Sequence, residues 1–516
     1  MERRVFLGVM TAALSVAATG ARAQMAAPPE AEAVAAPPAP FGFEDVARIA
    51  ADLVRADYVR PQAKLTPPFA DLGYDAYRGI RFRREADPWR DLGGFGLDLL
   101  PPGMLFTDPV RINLIENGVA RNLPFDPTVF EFSPEGFPPD AASAPPGDMG
   151  WSGFRLRTVL NRPGVLDEMA VFQGASYFRA IGRGNVYGLS ARGLALGTGS
   201  AAGEEFPAFR EFWIRTPEPG AASVTVLALL DSPSVAGAYE FVLTPGADTA
   251  VATRAALFPR RELTDVGIAP LTSMFWFGPA DLGSFDDYRP AVHDSDGLQM
   301  VTGNGERLWR ALANPAALQI SAFADRDPQG FGLMQRARDF TAFQDAEAAY
   351  ERRPSAWVAP QGGWGEGRVV LVEIPVESEF HDNIVAFWQP GQPLAPGVRH
   401  DFAYELSLGF APGDNDPAAQ VRQSRSGASI NGKGARSFVI DFDLAPFEGQ
   451  PDPEPVVTTS AGEVRHPYVV RLPAEGVLRL SFEFVPGGAD LAELSARLDS
   501  AQLRMSETWL YRWTRG

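Results

Sequence analysis

The sequence predicts an all-β fold, and three observations lead there. Turn formers are dense, with 51 glycines and 46 prolines in 516 residues, which favours many short strands over a helical bundle. Short runs of branched and aromatic residues recur between Gly/Pro/Asn/Asp clusters, at 77–82, 104–106, 110–114, 212–214, 224–230 and 239–243. Strands do not alternate with long helices, so a doubly wound α/β arrangement is not expected. The length admits two to four domains and a large core, and no repeat of solenoid period is visible.

Residues 1–23 read as an export signal. Arg3 and Arg4 precede an apolar run to Ala18, and Ala21-Arg22-Ala23 has the spacing of a cleavage site. The Arg-Arg-x-Phe-Leu pattern is similar to a twin-arginine signal, with Glu2 and Gly8 departing from the usual flanks. Residues 24–40 are Ala/Pro-rich and expected to be disordered. One amphipathic helix is expected over 43–58, from Phe43, Val46, Ile49, Ala50, Leu53 and Val54. A second helical stretch is expected around 340–350. The turn formers of 389–397 are the best linker. Beyond it, apolar runs at 402–408, 437–442, 468–472, 476–484 and 503–513 suggest a small β-sandwich over 398–516. The large domain is then 41–388.

Charge and composition exclude several functions. Without residues 1–23 the chain carries 43 basic and 63 acidic residues, a net −20. Such a surface is a poor match for nucleic acid or an anionic membrane and permits a neutral ligand. No later stretch reaches the ~18 apolar residues that span a bilayer. Cysteine is absent and the four histidines are scattered, so thiol chemistry is excluded and a metal site is not expected. No Walker loop, G-x-S-x-G or H-E-x-x-H motif is present. The glycines of 182–188 imitate a dinucleotide loop but have the wrong spacing and read as a β-turn. No cofactor is implied.

Two segments combine carboxylates with histidine and aromatic residues: Tyr288-Arg-Pro-Ala-Val-His-Asp-Ser-Asp-Gly-Leu298 and Glu379-Phe-His-Asp-Asn-Ile-Val-Ala-Phe-Trp388. Glycoside chemistry needs one carboxylic acid for the leaving oxygen and one carboxylate to activate water or attack. Trp276, Trp309, Trp357, Trp364 and Trp388 fall in the same interval, and aromatic faces can stack on sugar rings. Tyr288, Arg289, His293 and Asp296 complete the candidate binding set with Trp276, Trp309, Trp357 and Trp388. Taken singly each tryptophan favours a core role, and only their clustering beside Asp294 and Asp382 brings a cleft role level with it. If the first segment is a strand, Asp294 and Asp296 share a face and compete for one role.

Further segments carry a specific resemblance. They include Phe172-Gln-Gly-Ala-Ser-Tyr-Phe-Arg179, Gly203-Glu-Glu-Phe-Pro207, Ala269-Pro-Leu-Thr-Ser-Met-Phe275, Gly330-Phe-Gly-Leu-Met-Gln-Arg336, Arg353-Pro-Ser-Ala-Trp357 and Ser506-Glu-Thr-Trp509. In this order, from about residue 41 to 513, the chain resembles the periplasmic glucan biosynthesis proteins G and D (OpgG/OpgD, also MdoG/MdoD). The resemblance implies a large galactose-mutarotase-like β-sandwich followed by a small immunoglobulin-like one. It implies a periplasmic protein acting on β-1,2-glucan by inverting endo-cleavage or by transfer. It puts the general acid on Asp382 and the general base on Asp294, acting through a relay near Tyr350; the preference over Asp296 rests on this resemblance alone. Ile384, Val385, Phe387 and Trp388 are expected to provide apolar surface beside Asp382. A second reading is a non-catalytic glucan-binding factor that takes the nascent chain from the inner-membrane glucan synthase.

Overall fold

A computed structural model describes residues 40–143, 149–413, 418–430, 432, 434–500 and 503–515. The export signal and the Ala/Pro segment up to residue 39 lie outside the described residues. The chain is all-β as expected, with few and short helices.

The dominant feature is two large facing sheets. Among the described residues one has ten strands and the other fifteen. Alternation along single strands puts Leu97 and Leu99, Phe154 and Leu156, Ile112 and Leu114, and Phe212 and Ile214 into one shared core. Burying each such side chain contributes about 1.5–3 kcal/mol, so two sheets patterned this way close on each other. A four-stranded sheet (Val421–Ala428, Arg436–Asp443, Glu463–Leu472, Val477–Val485) packs on strands Leu491–Ser500 and Thr508–Thr514 to form the smaller sandwich.

The two sandwiches are continuous. Strand Thr508–Thr514 pairs in parallel with Arg307–Ala311, so the fifteen-stranded sheet runs from one sandwich into the other. Strand His400–Gly409, expected beyond a linker, lies between Thr249–Pro259 and Ser355–Pro360 in the large sheet. The turn formers at 389–397 therefore link strand Ile384–Pro390 of one large sheet to a strand of the other. Turn composition marks the reversal of a chain but cannot say whether a domain ends there.

The first helix runs Phe43–Leu53, shorter than expected. Phe43, Val46, Ala47 and Ala50 cover Trp213, Leu227 and Ala238 on the outer face of the fifteen-stranded sheet. Residues 340–350 form only a short helix Phe340–Phe343 and a 3-10 turn Tyr350–Arg352. The interruption is local chemistry: the Asp345 carboxylate accepts the backbone N–H groups of Glu347 (3.0 Å) and Ala348 (2.8 Å), competing with helical bonds. Residues 104–106 form a turn closed by the Gly103–Phe106 bridge instead of a strand. Residues 77–82 divide into the end of a short helix, Tyr74–Arg78, and strand Ile80–Phe82. The Gly182 segment is a β-turn, closed by the Asn185 N–H on the Gly182 carbonyl at 3.2 Å.

Candidate active site

Strand Val266–Ser273 passes through Met274 into the short strand Phe275–Phe277. Two loops from distant parts of the sequence are fastened to this junction. On one side the Asn383 N–H donates to the Ser273 carbonyl (3.0 Å). The Asn383 side chain accepts from Phe275 N–H (2.8 Å) and donates to the carbonyls of Phe275 and Ile374 (both 3.0 Å). On the other side the Asp294 N–H donates to the Met274 carbonyl (2.8 Å), and the hydroxyls of Ser273 and Ser295 are 2.8 Å apart. Asp382 and Asp294 thus flank residues 273–275, and the charge of Asp382 is felt at Asp294.

The two carboxylates have opposite environments. Asp294 is buried, with 4% of its surface exposed, whereas Asp382 is exposed. Burial pushes the Asp294 carboxyl above its ordinary range; the Arg353 guanidinium, paired with it, and more distantly Arg179 pull it back. Arg353 also lies 4.1 Å over the ring of Tyr350. The Tyr350 hydroxyl donates to Glu379 Oε2 at 2.6 Å. Burial and that acceptor push the Tyr350 phenol well up, so it stays a proton donor at neutral pH. Glu379 Oε2 also accepts from Arg289 (2.7 Å), which bonds Asp345 and Asp287 at 2.8 Å each. Arg289 therefore ties the loop bearing Asp382 to the residues before Tyr350.

Aromatic surface surrounds this centre. The charge of Asp382 also reaches the Tyr177 phenol. Tyr177 faces the Arg192 guanidinium at 4.7 Å, and the half-exposed Phe206 faces it at 5.7 Å. Tyr288 and Phe380 are exposed. Trp276 has Arg289 6.0 Å over its ring and Phe285 at 4.9 Å. Trp276 also borders a cleft of about 1190 Å³ that reaches Arg436 and Trp513 of the small sandwich.

Of the residues nominated from sequence, Asp294, Asp382, Tyr350, Arg289 and Trp276 come together here, and Tyr288 is exposed next to Arg289 in the chain. The others have different surroundings. Trp388 is fully buried in the main core beside Trp364. Trp309 and Trp357 are buried in the core shared with the small sandwich, with the Arg336 guanidinium 3.7 Å over Trp309. Their surfaces are used in packing, which leaves none for a sugar. His293 is buried between Phe275, stacked at 5.3 Å, and Phe343 at 5.0 Å. Burial lowers its pKa to about 3, so it is neutral.

Asp294 and Asp296 do not share a strand face. They occupy the bend between strands Val292–His293 and Gly297–Val301 and fasten to different partners, Met274 and Met334. The Asp296 carboxylate accepts from the Arg336 N–H (3.2 Å) and Ala337 N–H (3.4 Å), and burial pushes it up to about 6. The expected apolar surround of Asp382 is also absent. Ile384 and Trp388 point into the main core, and Val385 and Phe387 into a cluster with Val370 and Val372.

Sequence reasoning missed Arg353, Arg179, Tyr177, Glu379 and Asn383 as parts of the site. Glu379 and Asn383 sit inside a segment already singled out, and Arg353 opens another. Nothing local distinguished them from ordinary polar residues. Among the described residues, no group of three or more His, Cys, Asp or Glu side chains is placed to hold a metal ion.

Comparison with known proteins gives the family of the chain. The family described as "Periplasmic glucan biosynthesis protein, MdoG" matches residues 41–513. Glucans biosynthesis protein G of Vibrio cholerae is 48% identical over 480 residues, covering 92% of this chain and 87% of its own. The proteins of that name from Shewanella baltica (48%) and, as protein G 1, Shewanella oneidensis (47%) align over the same shares. With nearly the whole described chain matched, this protein belongs to the MdoG family of periplasmic glucan biosynthesis proteins.

Proposed function

We propose that this protein cleaves or rearranges β-1,2-glucan in the periplasm, with inversion at the anomeric carbon. Asp382 is the general acid and Asp294 the general base. The observation that carries the reading is the convergence of an exposed and a buried, arginine-paired carboxylate on residues 273–275, from positions far apart in the chain. In this scheme Asp382 protonates the glycosidic oxygen of the leaving unit. Asp294 is too enclosed to meet a sugar-bound water directly, so the proton it accepts travels through an intervening hydroxyl or water. Tyr350 lies beside that route, with its own proton held by Glu379. Arg353 offsets part of the cost that burial sets on the charged form of Asp294. Tyr288, Phe380, Tyr177, Phe206 and Trp276 supply the aromatic faces for the sugars.

The export signal expected at 1–23 fits a periplasmic site of action, as does the family's description. No helix among the described residues is long and apolar enough to cross a membrane. The inner-membrane glucan synthase is the partner that would deliver the chain.

The test is incubation of the protein with linear β-1,2-glucan, following chain length and the anomer first released. Shortened or redistributed chains with initial α anomer are expected. Initial β anomer would contradict inversion. Unchanged chain length with intact binding across pH 5–8 would leave a non-catalytic glucan-binding factor as the reading.

A further inference from the structure

Tyr350 and Arg353 lie on one turn, Tyr350–Arg352 and the residue after it, entered through Ala349 in the left-handed region (φ 46°). A turn this short has little regular bonding of its own. It is held from outside by the segment that follows strand Gly330–Met334.

Arg338 donates to the carbonyls of Glu351 (3.2 Å), Arg353 (2.6 Å) and Phe410 (2.7 Å) and to the Ser355 hydroxyl (2.9 Å). Three residues earlier, the Gln335 amide bridges the carbonyls of His293 (2.9 Å) and Tyr350 (3.4 Å). Gln335 is 1% exposed. The strand end that carries Asp294 and the turn that carries its counter-ion are therefore joined through residues 335–338, not directly by backbone pairing.

We propose that Arg338 is a positioning residue. It holds the 350–353 turn in the register that presents Arg353 to Asp294 and Tyr350 to Glu379. Its catalytic meaning rests on the function proposed above; the tie itself does not. A guanidinium suits this place because its planar fork spreads donors over separate nitrogens and reaches partners on several segments, where an ammonium offers three donors from one atom. The charged groups facing Asp294 are Arg353, Arg179 and Asp382, with the Tyr350 phenol beside them. Of these, Arg353 and Tyr350 stand on the turn that Arg338 holds, and Arg353 is the one that pairs with Asp294. If the turn slips, Asp294 loses its strongest stabilising charge and accepts a proton at higher pH.

Arg338→Met and Arg338→Lys in the full chain test this, with Ser355→Ala as a milder loosening if the methionine variant does not fold. Hydrogen exchange across 345–355 is expected to quicken about tenfold in Arg338→Met relative to the remaining strands, and less in Arg338→Lys. Unchanged exchange there would overturn the tie. In cleavage of β-1,2-glucan, the acid limb of kcat/KM should move up by about one pH unit in Arg338→Met, with partial return in Arg338→Lys. A uniform loss of activity with an unmoved limb would overturn the positioning role. If the wild-type protein cleaves no glucan, the functional reading fails, and the exchange result still decides the tie.

Discussion

The two acidic segments have similar compositions and opposite fates. From Ala291 the first segment turns inward: His293, Asp294 and Ser295 are buried, and Asp294 is matched to Arg353. Residues 380–382 stay outside, with Phe380 85% exposed and Asp382 exposed, between Glu379, bonded to Tyr350 and Arg289, and the buried anchor Asn383. The difference teaches how one centre divides its work. The state of the buried carboxylate is set by the protein through burial and arginine. In the proposed reaction the exposed carboxylate meets the sugar first, and the sugar itself must cover it.

The sharpest break of this comparison is Asp382→Asn against Asp294→Asn. Asp382→Asn is expected to lower cleavage by about 10²–10⁴-fold, the usual worth of a positioned acid. Glucan affinity should stay within a few-fold, and the melting temperature should not move because the side chain is exposed. Asp294→Asn should also abolish cleavage but lower the melting temperature, since Arg353 loses its partner. More than about a tenth of wild-type turnover in Asp382→Asn would remove it from the acid role.

Next in size is Arg353→Met. It leaves Asp294 buried without its counter-ion, a change that costs about 3 kcal/mol or more where a buried pair is broken from one side. Denaturant unfolding reads it directly. Adding Asp294→Asn to this variant should recover most of the loss; if the two losses simply add, the pair is not coupled as described.

The smallest effect belongs to Asp296. Its folded-state pKa is raised to about 6, from 3.8, with burial the largest cause. A raised carboxyl binds its proton more tightly in the folded chain. Its contribution to stability is therefore present below about pH 4 and lost as pH rises through about 6. Asp296→Asn removes that dependence. Relative to wild type, the variant should gain up to about 3 kcal/mol between pH 4 and pH 7. Parallel stability–pH curves for the two proteins would show that Asp296 does not titrate in this window.

The tryptophans show where sequence reading has to stop. Trp276 and Trp388 looked alike as candidates, since both lie near an acidic segment. Trp388 follows the alternation of strand Ile384–Pro390 into the main core, while Trp276 sits on a three-residue strand of a separate two-stranded sheet with part of its surface free. Which face of a strand is inside depends on what packs there, and proximity in sequence carries no such information. The helix at 43–53 was legible because its apolar spacing is a local property. The stretch 340–350 was not, because one Asp345 side chain redirected the backbone.

By itself the sequence determined the all-β class, through turn density and strand-length apolar runs. Its ordered motifs singled out Asp294, Asp382 and Tyr350 by resemblance. Only the tertiary structure decided that His400–Gly409 belongs to the large sheet, that Asp294 is buried against Arg353 while Asp382 is exposed, and that Arg289, Glu379 and Tyr350 form one network. The reason is physical. Strand class follows from local periodicity, but burial, and ion pairing and hydrogen bonding between residues 29 to 90 positions apart, exist only once the sheets have closed and brought them within a few ångströms.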